Sequence, residues 1–136
     1  MAFDFSKQNF NKAAEAGFTF NLELPTGEVS DASLTVIGEM SKDVRDYSKR
    51  KYQEYQNKVA IAKKRGREME DITLEEAEEM AVETALVRLV GWEGFTENGK
   101  KVEFSKDKAR EILKEHSWIR EQIMLKSADV VNFRPK

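Results

Sequence analysis

The chain has 136 residues, 40% of them hydrophobic and 35% charged, with 23 Lys and Arg against 25 Asp and Glu. That length fits one domain spanning 1–136, divided into an N-terminal part at 1–40 and a helical part at 41–136. Cysteine is absent and His116 is the lone histidine, which excludes a disulfide scaffold, a thiolate nucleophile and a cysteine-based or two-histidine metal site, while a net charge of -2 argues against a globally basic nucleic-acid binder.

In chain order, Ser6 to Ala16 reads as a short helix with Gly17 as its stop. Phe18, Phe20, Leu22 and Leu24 then alternate with polar residues, the period of a half-buried strand. Pro25-Thr26-Gly27 is a turn, and Ala32, Leu34 and Val36 alternate again, so the two runs predict an antiparallel hairpin. From Ser41 the period lengthens. Val44, Tyr47, Tyr55, Val59 and Ala62 recur at helical spacing, with Ser41 as N-cap and Gly66 as the end. Thr73 and Glu76 form a capping box for a second helix, predicted to run to about Val90 and to stop at Gly91.

Asn98-Gly99 is a strong hairpin signal because both residues tolerate positive φ. Ser105 caps a further helix carrying Ala109, Ile112 and Leu113, and a break near His116 precedes a last helix with Trp118, Ile119 and Ile123. The expectation is an α+β fold, mainly helical, with about four helices, an N-terminal β-hairpin and a small loop or hairpin near 92–104.

Charge is segregated. Lys42 to Arg67 holds ten bases and three acids, and Glu68 to Glu83 holds eight acids and no base. One reading is a basic helix for nucleic acid, densest at Lys63, Lys64 and Arg65. The favoured reading is a helical hairpin whose acidic second helix packs beside the basic first one, each charge complementing its helix dipole. Tyr47 and Tyr55 share the apolar stripe and are expected in the core; Tyr52 lies off it and is the candidate surface contact. Trp92, Phe95, Val102 and Phe104 read first as a small core packed under the neighbouring helices, with Trp92 and Phe95 as a second, aromatic contact candidate. Glu75, Glu76, Glu78 and Glu79 have no partner histidine and read as a solvated face, and His116 reads as a capping or surface residue. No nucleophile triad, phosphate loop or metal box is present, so no enzymatic activity and no cofactor are expected.

The succession Val90-Gly91-Trp92-Glu93-Gly94-Phe95, the turn Asn98-Gly99, the segment Lys101-Val102-Glu103-Phe104-Ser105 and two closing helices resembles the tail assembly chaperones of long-tailed bacteriophages with non-contractile tails. The N-terminal strand, turn and strand are similar too; the long basic helix has no counterpart in that pattern. The resemblance implies a non-enzymatic chaperone that coats and solubilises the tape measure protein and promotes tail tube assembly. It also implies action in the host cytoplasm, absence from the mature virion, and a longer frameshifted form that reaches the major tail protein. Self-association is expected, with Phe3, Phe5, Phe10 and Phe133 as candidate contacts, because phenylalanine near a chain end is either tucked into its own core or lent to a neighbour. A coat repeating along a rod favours a head-to-tail contact. The alternatives are a small nucleic-acid-binding protein using 42–67 and a minor structural component of the tail. No run approaches the ~20 apolar residues of a membrane span, and Met1 to Phe5 lacks the basic-then-apolar order of a signal peptide, so no membrane partner is expected.

Overall fold

The computed structural model describes residues 2–135. Alternation drives the sheet. Strand β1 (Phe18–Glu23) pairs antiparallel with β2 (Val29–Val36), with Phe18 opposite Val36 and Phe20 opposite Leu34. Phe20, Leu22, Ala32, Leu34 and Val36 are buried on one face, and Thr19, Asn21 and Glu23 lie outside. The turn closes through Leu24 N–H donating to the Glu28 carbonyl at 2.7 Å, with Gly27 at φ +94°.

The hairpin does not stand alone, which corrects the sequence expectation. Strand β3 (Leu89–Glu93) pairs antiparallel with β2 and makes a three-stranded sheet of order β1-β2-β3. The helix expected to reach Val90 therefore ends earlier. Val87 to Val90 is apolar enough for either state, and the free edge of β2 decides it: Leu89 and Trp92 point inward, and Val90 outward. A separate two-stranded ribbon, β4 (Thr96–Glu97) and β5 (Lys100–Lys101), turns through Asn98 at φ +52° and Gly99 at φ +80°.

The helix count is also corrected, from about four to five. Helix α1 (Phe10–Ala13) is a single turn that replaces the predicted helix over 6–16. Four longer helices follow: α2 (Lys42–Lys64), α3 (Leu74–Leu86), α4 (Lys106–Glu115) and α5 (Ser117–Ala128). Two caps form on the hydroxyl side: Thr73 Oγ1 accepts from Glu76 N–H, and Ser105 Oγ from Lys108 N–H, each at 3.1 Å, while among the described residues the Glu76 side chain makes no return bond to Thr73 N–H. Ser41 occupies the N-cap position of α2 by backbone geometry, but its buried hydroxyl caps nothing. Helix α2 ends in a Schellman turn: Gly66 at φ +64° lets Arg67 N–H reach the Ala62 carbonyl at 2.9 Å.

One core joins the inner sheet face to α3, α4 and α5, through Val82, Ala85 and Leu86, Ala109 and Leu113, and Ile119 and Ile123. The C-terminal segment seals it. Phe133 is buried against Phe18, ring centroids 6.0 Å apart, so the proposed role of Phe133 as a free self-association contact is corrected. Gly38 makes that closure sterically feasible, since a Cβ there would lie 2.7 Å from Ala14 Cβ and 3.1 Å from the Phe133 ring. Ser127 Oγ donates to the Ile37 carbonyl at 2.7 Å, tying α5 to the end of β2. Gln122 blocks the outer edge of β1, accepting from Glu23 N–H at 2.9 Å and donating to Glu23 O at 2.7 Å, which removes part of an otherwise open pairing edge.

Candidate functional site

Helix α2 leaves this core. Of its 23 residues only Val44 and Tyr47, in the first turns, are buried. At that base Tyr47 Oη lies 3.4 Å from Thr84 Oγ1 of α3, and Arg88 donates to the Thr84 carbonyl with Glu39 3.7 Å from its guanidinium. Burial pulls the Arg88 guanidinium below its usual pKa, and Glu39 and Tyr47 oppose that shift. Beyond this base the two helices do not pack along their length.

The favoured sequence reading, a charge-neutralised α2–α3 hairpin, is therefore corrected. The ion pairs of α2 are local: Lys42 with Asp46 at 2.7 Å and Lys51 with Glu54 at 3.3 Å. Among the described residues no base of 42–67 lies within 4 Å of an acid of 68–83. Glu83 is engaged by Arg110 of α4 on the opposite side. Helix α3 turns its buried stripe toward α4 and leaves Leu74, Met80 and Ala81 exposed.

Tyr52 is 65% exposed, as expected of a surface residue, and Tyr55 is 53% exposed, against the expectation that it packs in the core. Val59 and Ala62 are half-buried. Lys63, Lys64 and Arg65 stand exposed at the far end, where the connection to α3 folds back and Met69, Ile72 and Ile61 line a shallow hollow of about 320 Å³. Along the middle of this arm Tyr52 and Tyr55 stay exposed, and toward its end the connection covers Ala62 in part. The sequence pattern showed the periodicity of α2 and could not show that Tyr55 stays uncovered.

Trp92 is not available to a partner. It is buried between Phe95 and Phe104, ring centroids at 5.2 and 5.0 Å, and its N–H donates to the Val102 carbonyl at 2.9 Å. This is the packed arrangement favoured for the segment, and it removes Trp92 from the contact candidates. Phe95 is half-buried and lines a groove of about 410 Å³ with Leu22, Val102, Ile112 and Trp118, rimmed by Lys108, Glu111 and His116. Phe3 and Phe5 are exposed and stack edge-to-face at 5.0 Å, while Phe10 is half-buried at the start of α1. Among the described residues no cluster of acids and histidine is placed to hold a metal, and no helix is long and apolar enough to cross a membrane.

Comparison with known families gives this small sheet-and-helix body a phage origin. The family model described as YdaY prophage protein matches residues 40–136, from the start of the arm through the closing helices, and the chain belongs to that family. No curated protein and no solved structure matches it.

Proposed function

We propose that this protein is a non-enzymatic phage tail assembly chaperone that binds and solubilises the helical tape measure protein and promotes tail tube assembly in the host cytoplasm. One observation carries the reading: α2 buries only Val44 and Tyr47 and exposes Tyr52, Tyr55 and Ile61. Helices in proteins draw most of their stability from packing an apolar face, so a 23-residue helix that leaves Tyr52 and Tyr55 exposed on one face is a docking element for another helix. Membership of a prophage family supports a client that is itself a phage protein. A longer, frameshifted form would extend the same role to the major tail protein.

Co-expression with the tape measure protein of the same prophage tests this. The client stays soluble and co-purifies, and Tyr52→Glu with Tyr55→Glu abolishes the effect. A client that aggregates equally with and without this protein sinks the reading. A gene position beside the tape measure gene would support it.

A second reading, binding of nucleic acid by α2, is favoured by the absence of ion pairs between its bases and the acids of 68–83. Its mark is submicromolar binding of random duplex DNA with a steep salt slope, lost on charge reversal at Lys63, Lys64 and Arg65.

A further inference from the structure

Two seams in the arm have the same spacing. Along α2, Tyr52, Tyr55, Val59 and Ala62 follow steps of three, four and three residues. Along α3, Leu74, Ala77, Ala81 and Thr84 follow the same steps. This is the a/d spacing of knobs-into-holes packing, in which a side chain of one helix enters a hole formed by four residues of the other. Sizes are complementary when the seams run antiparallel. Tyr52 then faces Thr84, Tyr55 faces Ala81, Val59 faces Ala77 and Ala62 faces Leu74, so each large residue meets a small one.

The chain does not make this pairing with itself. Its own register is set at the base, where Tyr47 meets Thr84. Matching the seams requires Tyr52 opposite Thr84, five residues further along α2, a slide of roughly 7.5 Å at the helical rise. The chain covers the seams only in part: Val59, Ala62, Ala77 and Thr84 are half-buried, while Tyr52, Tyr55, Leu74 and Ala81 stay exposed, Leu74 to 88%.

Charge matches as well. Lys51, Lys58 and Lys63 flank the α2 seam, and Glu76 and Glu78 flank the α3 seam. Among the described residues, Lys58, Lys63, Glu76 and Glu78 have no oppositely charged side chain within 4 Å. A second copy supplies both the missing seam and the missing charges.

We propose that the arm is a dimerisation surface in which α2 of one copy packs antiparallel on α3 of a second copy and the reverse, closing a two-fold four-helix cluster. Reciprocity makes the contact self-complementary, so it closes at two copies instead of growing head-to-tail. The inference does not rest on tape measure binding; a client helix seated on the same stripe would compete with the second copy.

The full chain lacks cysteine, which makes crosslinking selective. Tyr55→Cys and Ala81→Cys are prepared as separate variants, mixed and oxidised. The mixture is expected to give a disulfide-linked dimer at least tenfold more abundantly than either variant alone, because Tyr55 faces Ala81 of the other copy. In sedimentation velocity the wild type is a dimer that dissociates on dilution. Lys58→Glu with Lys63→Glu weakens it at least tenfold, as does Glu76→Lys with Glu78→Lys, and all four changes in one chain restore it. Circular dichroism identifies any variant that fails to fold, and the crosslink then decides. A wild type that is monomeric at high concentration overturns the proposal. So do oligomers beyond a dimer, a four-fold swap without rescue, or equal crosslinking in the single variants. A monomer that binds duplex DNA through the arm overturns it in favour of a nucleic-acid occupant.

Discussion

Lys106 Nζ donates to the Leu86 carbonyl at 2.7 Å, placing the first residue of α4 over the C-terminal end of α3. The same ammonium reaches the Leu89 carbonyl at 2.6 Å, where β3 begins. A cation at a helix C-terminus satisfies carbonyls that the helix leaves unpaired and complements its dipole. Burial pulls the Lys106 pKa down, and the carboxylates of Asp43 and Glu83 pull it back up. This bond holds the early end of α3 against the start of β3, the point at which the chain changes from helix to strand.

Lys106→Met keeps the aliphatic stem and removes both bonds. Hydrogen bonds to charged groups contribute about 1.5–3 kcal/mol, so a stability loss near the lower end of that range is expected for a side chain that retains solvent access. Urea unfolding measures it. A midpoint equal to the wild type would mean that solvent satisfies both carbonyls equally well.

Phe133 and Phe5 are expected to separate cleanly. Phe133 is buried, and Phe133→Ala should cost about 3–5 kcal/mol. Phe5 is 83% exposed, and Phe5→Ala should change stability by less than about 0.5 kcal/mol. Thermal unfolding of both variants, run side by side, checks the contrast.

Arg88 is the buried cation at the base of the arm, with an exposed partner in Glu39. Arg88→Met fills the same space without a charge and frees Glu39 to hydrate, so it should be neutral or stabilising within about 1–2 kcal/mol. Arg88→Ala leaves a cavity and should cost about 2–4 kcal/mol. Denaturant titrations of the pair test whether packing or charge is what Arg88 supplies.

Asp46 offers a pH readout on α2. The hydrogen bond from Lys42 is the largest cause holding its carboxyl below the usual 3.8, and desolvation opposes it. With the folded value lowered, the linked stabilisation is complete above 3.8 and is lost as pH falls through the folded value. An NMR titration of the Asp46 carboxyl should give a midpoint below 3.8, moving up in Lys42→Gln. An unchanged midpoint in that variant would assign the shift to the other bases of the helix.

Features set by a few neighbouring residues were legible from the sequence. The Thr73 and Ser105 caps, the Asn98-Gly99 turn, the Gly66 stop and the alternation of 18–24 and 32–36 depend on local backbone geometry and a local pattern. The candidate site was legible only in part. Its stripe, its tyrosines and its charge segregation are in the sequence, and so is the exposure of Tyr52; for Phe3 and Phe5 the sequence leaves burial and exposure open. The packing of Trp92 is the favoured reading of its segment, whereas Phe133 stays open between its own core and a neighbour, because an aromatic residue carries the same periodicity whether a neighbour covers it or not.

Sequence by itself determined where α2, α3 and α4 and the hairpin turns begin, because capping, turn chemistry and hydrophobic period act within a few residues. Tertiary structure decided the state of Leu89 to Glu93, whose apolar run suits helix or strand until the open edge of β2 offers its hydrogen bonds. It also decided that α2 and α3 meet closely at the base, where Tyr47 meets Thr84, and diverge around the hollow that Ala62 and Glu76 share. Opposite charges adjacent in sequence favour a closed hairpin, but the burial of Val82, Ala85 and Leu86 against α4 and α5 sets the direction of α3. The arm is left open because contacts distant in sequence, not the charges beside it, set the direction of α3.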